Sequence, residues 1–295
     1  MPEHQLTIEQ ALKSGSKTLV SSDSAKLDCE ILLLKVLNDS YQTQHTKTWL
    51  MTWPEKILTV KQVQQFSHYL TLRLEGMPIA YITGEQDFWT LTLSVTPATL
   101  IPRPETELLV ECALEKISNI GEQCILDLGT GNGAIALAIA AQRSHALVLA
   151  SDFSRQALDI AKNNAQKNAE QLHLDHLSFC QSHWFEDIPK EQFDVIVSNP
   201  PYIAENDPQL DENVSKYEPL SALHSGNEGL DDILEIVKHC HNYLKSGGWI
   251  LFEHGYEQAG AVQGILKKYG FSQISTVNDL NHLPRVTMAK NQMSD

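Results

Sequence analysis

"ILDLGTGNGAIALAIA", residues 125–140, joins a strand-like apolar run to a helix-like run through Gly129, Gly131 and Gly133. Glycine has no Cβ, so the backbone there can turn sharply and approach a ligand closely where the helix begins. The next strand-like run, "ALVLASD", ends on Asp152. A carboxylate at that place can accept hydrogen bonds from both hydroxyls of a ribose. The nicotinamide dinucleotide fingerprint, G-x-G-x-x-G, is the obvious competitor, but here the third glycine comes one position early. Asp127, two residues before Gly129, is also foreign to that pattern.

Outward from this loop the chain alternates. "ELLVECALEKI" reads as helix, "QCILDLG" as strand, "SRQALDIAKNNAQKN" as helix, and "HLSFCQS" and "FDVIVSN" as strands. A long irregular stretch, the helix "LDDILEIVKHCHNYL", the strand "GGWILFEHG" and the helix "QAGAVQGILKKYG" follow. "FSQISTVND" and "RVTMAK" close as two successive strands, which predicts an antiparallel finish. Such alternation specifies an α/β fold, a mostly parallel sheet with helices on both faces.

Before residue 105 the character differs. Residues 1–76 carry helical periodicity, through Leu27, Ile31, Leu34 and Leu37 and again through Val63, Phe66, Leu70 and Leu74, with Gly76 placed to end the second helix. This predicts a small N-terminal helical domain. In residues 77–104, alternation through Leu91, Leu93 and Val95 predicts a β-hairpin linker, leaving 105–295 as the catalytic domain.

The chain has 37 acidic against 22 basic residues, a net charge of -15, which disfavours broad binding of nucleic acid or an anionic membrane. No apolar run approaches the ~20 residues that span a bilayer, and "MPEHQLTIEQ" lacks the regions of a secretory signal. The five cysteines are scattered without a C-x-x-C spacing, as in reduced thiols. A cytoplasmic protein without direct nucleic-acid or membrane partners is expected.

The second constellation is "IVSNPPYI", residues 196–203. Asn199 precedes a proline and is pushed toward an extended backbone, while Pro200 and Pro201 have fixed φ and no N–H. The corner is stiff and rich in acceptors, chiefly the Asn199 side-chain oxygen and the Pro200 carbonyl. A substrate –NH₂ can supply the two missing donors, and Tyr202 an aromatic wall. A planar nitrogen is a poor nucleophile, and acceptors on its hydrogens orient it and favour its developing cationic form.

"DLGTGNG" resembles the first motif of S-adenosylmethionine-dependent methyltransferases, and with N-P-P-Y the group that modifies amino or amide nitrogens. "PIAYITGEQDFW", "TLIPRPETE", "DLGTGNGAIALA", "VSNPPYI" and "YEPLSAL" follow one another as in the bacterial HemK/PrmC family. Those enzymes are N5-glutamine methyltransferases of class 1 peptide-chain release factors. The resemblance covers nearly the whole chain, and its motifs are specific in combination. It implies a Rossmann-like, seven-stranded methyltransferase fold. It also implies that Gly129, Thr130, Gly131, Asn132, Gly133, Asp152 and Asn199 bind S-adenosylmethionine, with Trp184 against its adenine. Asn199, Pro200, Pro201 and Tyr202 would hold the glutamine of a Gly-Gly-Gln loop, with Asn199, Pro200 and Tyr202 catalytic and the helical domain gripping the release factor. One departure is His183, where the family usually has Asp directly before the tryptophan.

Other features have plainer readings. His173, His176, Cys180 and His183 resemble metal ligands, but a helix end followed by a strand does not make them converge, and no metal is expected. "KHCHNYL" reads as solvated helical histidines. Arg103 and Glu105 could line the cleft or simply start a helix. Glu253 could face the site or be a solvated strand end. The competing functions are a ribosomal-protein glutamine methyltransferase, an adenine-N6 methyltransferase, which the acidic charge disfavours, and a non-catalytic nucleotide-binding scaffold.

Overall fold

The computed structural model describes residues 6–20, 22–41, 44–208 and 210–292. The chain divides into two compact units, Met1–Gly84 and Glu85–Asp295. The boundary falls within the segment read as a linker, so residues 77–84 belong to the first unit and the hairpin to the second.

The first unit is helical: α1 (Ile8–Thr18), α2 (Ala25–Tyr41), α3 (Lys47–Thr52), α4 (Val60–Leu74) and α5 (Ile79–Thr83). Thr7 with Gln10 and Thr59 with Gln62 form reciprocal capping boxes that satisfy the otherwise orphaned N–H groups opening α1 and α4. After α4, Gly76 takes φ +91°, a left-handed value that ends a helix at low steric cost in glycine. The buried face of α2 is not the one its leucine spacing predicts. Leu27 is 48% exposed and Ile31 and Leu34 are half-buried, while of the predicted residues only Leu37 is fully buried, beside Cys29, Leu32, Leu33 and Val36 and with Phe66 and Leu70 of α4. Asp28 is buried as well, and is paired with Arg73 at 2.8 Å. Its need for a partner biases the rotation of α2, a constraint that apolar periodicity does not carry.

The second unit opens with the hairpin β1 (Glu85–Phe88) and β2 (Leu91–Ser94), then α6 (Glu107–Lys116), β3 (Gln123–Leu128), α7 (Ala134–Gln142), β4 (Ala146–Asp152) and α8 (Arg155–Lys167). It continues through β5 (Leu177–Gln181), β6 (Phe193–Ser198), α9 (Glu212–Tyr217), α10 (Asp231–Cys240), β7 (Leu244–Glu253), α11 (Ala259–Lys268), β8 (Ser272–Asn278) and β9 (Pro284–Lys290). The seven-stranded sheet has the order β5-β4-β3-β6-β7-β9-β8. Its β3, β4, β5, β6 and β7 pairings are parallel, and β9 is antiparallel to both neighbours. This is the Rossmann-like methyltransferase arrangement, with the expected antiparallel finish. Connections leave β3 toward β4 on one side and return to β6 on the other. That reversal opens a crevice at the carboxyl ends of β3 and β6, where sheets of this kind bind ligands.

The hairpin is held to the second unit by polar contacts. Buried Asn164 of α8 accepts the Ser94 N–H at 2.7 Å and donates to the Ser94 and Asn132 carbonyls at 3.1 and 2.9 Å. One amide thereby braces both the hairpin and the glycine loop. His241, in the segment read as solvated, instead stacks on Phe271, and its ring nitrogens lie 3.0 Å from Asn291 Oδ1 and 2.6 Å from the Tyr269 carbonyl. The helix ends just before it, which turns the ring back toward β8.

Candidate active site

The two constellations meet on adjacent strands. Leu128 of β3 and Ser198 of β6 are paired in register, and the Ser198 hydroxyl donates to the Leu128 carbonyl at 2.7 Å. Gly129 and Asn199 are the next residues of these parallel strands, so they leave the sheet side by side, about 5 Å apart by ordinary strand spacing.

The glycine loop folds back on β4. The N–H groups of Gly129 and Thr130 both donate to the Ser151 carbonyl, at 2.9 and 2.8 Å. Gly129, Gly131 and Gly133 all have positive φ, at 74°, 57° and 91°. A Cβ on Gly129 would sit 3.4 Å from the Trp184 ring, and one on Gly133 would crowd Ala161 and Leu137 at 3.2 Å. Trp184 therefore forms a flat wall beside the first glycine. Its indole N–H is tied to Asp232 of α10 at 3.1 Å. His183 faces away from this role, 58% exposed and 3.4 Å from Glu186.

Thr130 and Asn132 turn inward. The Thr130 hydroxyl donates to Asp127 Oδ2 at 2.6 Å, and the same oxygen accepts the Ala136 N–H at 3.1 Å. Asn132 Oδ1 accepts the Ala134 N–H at 3.2 Å. These side chains fix the loop on the first turn of α7. Burial pushes the Asp127 carboxyl up to about 7, against the lowering effect of the Thr130 and Ala136 hydrogen bonds. Asp152 is 7% exposed, and Gly131 N–H and Ser154 N–H donate to its two oxygens at 2.9 and 2.8 Å. Each carboxylate oxygen retains a second acceptor direction, the capacity a ribose would use.

At the acceptor corner Pro200 is buried, and Asn199, Pro201 and Tyr202 are half-buried. Among the described residues, neither Asn199 Oδ1 nor the Pro200 carbonyl has a hydrogen-bond partner within the protein, while Asn199 Nδ2 donates to Thr106 Oγ1 at 3.4 Å. The Tyr202 carbonyl accepts from Gln258 Nε2 at 2.9 Å, and Gly229 packs so close to it that a Cβ would fall 2.2 Å away. The Tyr202 phenol donates to Glu253 Oε1 at 3.3 Å. Glu253 is 1% exposed, so of its two readings the one that turns it toward the corner fits and the solvated strand end does not. Burial raises both groups, Glu253 to about 7 and the Tyr202 phenol well above its ordinary value, the latter helped by the Glu253 charge.

A cleft of about 260 Å³ opens beside Asn199, Tyr202 and Arg103 and is closed by Leu100, Val214 and Leu223. Arg103 is ion-paired with Glu218, whose other oxygen accepts the Ile101 N–H at 3.1 Å. Sequence reasoning ascribed no role to Glu218 or Thr106. Both lie within quoted motifs, "YEPLSAL" and "TLIPRPETE", but their partners are distant in sequence. The histidines near β5 do not assemble: His176 Nδ1 lies 2.9 Å from the Ser144 carbonyl, and among the described residues no group of three or more His, Cys, Asp or Glu is arranged to hold a metal ion.

Residues 104–215 match the family model "Methyltransferase small domain" and residues 10–84 match "PrmC N-terminal domain". A release factor glutamine methyltransferase of Aliivibrio fischeri is 43% identical over 288 residues, covering 97% of this chain and 98% of its own. The protein of the same name from Yersinia pestis is 45% identical over 279 residues, covering 95% and 97%. A methyltransferase structure from Pyrococcus furiosus matches with a TM-score of 0.52 at 16% identity, over 77% of this chain and 100% of that one, a likeness of fold. No helix among the described residues is long and apolar enough to cross a membrane. With such identity over nearly its whole length, the chain belongs to the release factor glutamine methyltransferase family.

Proposed function

We propose that the protein transfers a methyl group from S-adenosylmethionine to the side-chain nitrogen of the glutamine in the Gly-Gly-Gln loop of class 1 release factors. The observation that carries this reading is the side-by-side placement of Gly129 and Asn199, with the acceptors Asn199 Oδ1 and the Pro200 carbonyl unpartnered among the described residues.

The residues present fit the cofactor. Trp184 offers a flat face beside Gly129, as an adenine requires, and Asp152 retains acceptor capacity for ribose hydroxyls. Two buried polar atoms near the loop, Asp127 Oδ1 and Asn132 Nδ2, have no partner among the described residues, so the region retains unused polar capacity. When bound, the cofactor supplies an electrophilic methyl group on a sulfonium.

The chain's own residues prepare the nitrogen. Asn199 Oδ1 and the Pro200 carbonyl accept the two hydrogens of the carboxamide –NH₂, which fixes the direction of its lone pair and favours positive charge building on nitrogen. The prolines hold both acceptors with little reorganisation. Tyr202 walls the planar amide, and its phenol stays protonated because burial and the Glu253 charge oppose ionisation. No strong base is needed before attack, since the nitrogen proton becomes acidic as the methyl arrives.

Incubation with isotope-labelled S-adenosylmethionine and a class 1 release factor tests the assignment. Mass spectrometry should place one methyl group on the Gly-Gly-Gln glutamine. Donor binding without any label there would reject the assignment, and label on a ribosomal-protein glutamine instead would redirect it.

A further inference from the structure

Two prolines stiffen the acceptor corner but bring no N–H groups by which the protein could hold it. On the glutamine-methylation reading, Asn199 Oδ1 and the Pro200 carbonyl stay free for the substrate, so the grip has to come from elsewhere. It comes at the Tyr202 carbonyl. Gln258, half-buried and 56 positions away in sequence, donates to that oxygen from Nε2 at 2.9 Å. The same nitrogen lies 3.2 Å from both the Glu228 and Gly229 carbonyls, while Gln258 Oε1 accepts the Gly255 N–H at 2.8 Å. A backbone N–H can only donate and a carbonyl can only accept, so this amide fits its surroundings in one orientation.

Gln258 stands at the N-cap of α11, where a side-chain oxygen commonly caps the helix, yet it makes no cap hydrogen bond. Its polar atoms are turned to the corner instead. Gly229 makes room for them. It has φ +69°, and a Cβ there would fall 2.2 Å from the Tyr202 carbonyl oxygen and 2.8 Å from Gln258 Nε2. Gly255 lies just past the end of β7, and β7 pairs with β6 through Phe252 and Ser198. The amide thus links the corner that follows β6 to the end of the neighbouring strand.

We propose that Gln258 is a positioning residue for methyl transfer: its amide ties the Tyr202 carbonyl and the Glu228–Gly229 turn to the end of β7, and so fixes where Asn199 Oδ1 and the Pro200 carbonyl meet the substrate nitrogen. This rests on the glutamine-methylation reading and adds to it a residue outside the N-P-P-Y motif.

The test uses the full chain, S-adenosylmethionine and a class 1 release factor. Gln258→Met keeps the length of the side chain and removes its donor and its acceptor. It should lower kcat by about 10²-fold, the scale of a misplacement of about 1 Å. KM for the release factor and donor affinity should change little. Gln258→Glu keeps an acceptor for the Gly255 N–H but sets a carboxylate against three carbonyls, and should be as poor. Gln258→Lys offers those carbonyls an ammonium with three donors. Its turnover should exceed that of Gln258→Met by about tenfold, the worth of a hydrogen bond from a charged donor. A role in packing alone predicts the reverse order, with the neutral methionine better tolerated than the lysine.

A second readout needs no release factor. In protein labelled with ¹³C-carbonyl tyrosine and ¹⁵N-isoleucine, only the Tyr81–Ile82 and Tyr202–Ile203 bonds join the two labels, and Tyr202→Phe identifies the second signal. The Tyr202 carbonyl resonance should move upfield in Gln258→Met, as on loss of a hydrogen bond, and lie nearer its wild-type position in Gln258→Lys. Wild-type kcat in Gln258→Met overturns the proposal, as does turnover in Gln258→Met at or above that of Gln258→Lys, or an unmoved Tyr202 carbonyl. Should Gln258→Met fail to fold, Gln258→Glu decides by kcat and the carbonyl resonance. A wild-type protein that labels no glutamine rejects the functional reading itself, and the carbonyl resonance then still reports whether Gln258 holds the corner.

Discussion

Glu218 and Arg103 form an ion pair across 115 positions of sequence, and the carboxylate is 4% exposed. The same carboxylate accepts the Ile101 N–H at 3.1 Å, so one side chain holds the segment that leads into Thr106. Glu218→Ala leaves that N–H and the guanidinium without their acceptor. A loss of about 2 kcal/mol is expected, the scale of hydrogen bonds to a charged group. Urea unfolding monitored on the full chain measures it, and turnover should fall along with stability because Arg103 lines the cleft beside Asn199 and Tyr202.

Gly129→Ala should weaken the cofactor site. Its φ of +74° is strained by about 1–2 kcal/mol for an L-residue, and the new methyl would stand 3.4 Å from Trp184. Donor affinity is expected to fall about tenfold, which corresponds to ~1.4 kcal/mol. Titration calorimetry with S-adenosylmethionine gives the answer. Unchanged affinity would mean that the tryptophan face does not receive the donor.

Asn199→Leu removes the acceptor and should lower turnover by ~10²-fold or more. Asn199→Asp keeps an acceptor oxygen and should retain more activity than the leucine variant. Donor binding should be nearly unchanged in both. A collapse of donor affinity with turnover per bound donor preserved would assign Asn199 to the cofactor rather than to the amide.

Two buried carboxyls, Asp127 and Glu253, are both held up at about 7 by burial. Each keeps its proton in the folded chain at a pH where the unfolded chain has released it. Their stabilising contribution is complete below the ordinary carboxylate range and is lost as pH rises through about 7. Each group gives at most ~1.4 kcal/mol per pH unit between those limits. Melting temperatures across that window should fall with rising pH, and Glu253→Gln should flatten part of the decline. An equal slope in wild type and variant would show that Glu253 is ionised in the folded state throughout.

Much of the architecture was legible because it is local. Strand and helix periods, the three glycines and the proline-stiffened corner are short-range patterns, and their physics acts within a few residues. The alternation of elements was enough to specify a parallel sheet, and connection rules then place Gly129 and Asn199 at one end of it. The rotation of α2 was not legible, because Leu27 loses its place in the core to a helix face that also carries the buried Asp28–Arg73 pair.

The sequence by itself determined which residues can turn, stiffen, accept and donate: the glycines of the loop, Asp152, Asn199 and its prolines. Only the tertiary structure decided which of them stay open to the crevice and which brace the loop behind it. Thr130 and Asn132 lie inside the glycine motif yet turn toward the protein, whereas Thr106 and Glu253 come from distant segments to meet Asn199 and Tyr202, and Glu218 from another to meet Arg103. The physical reason is that a buried polar group must find its partner wherever the fold brings one within hydrogen-bonding reach. Sequence spacing carries no record of a contact between strands that pair only after the chain has folded.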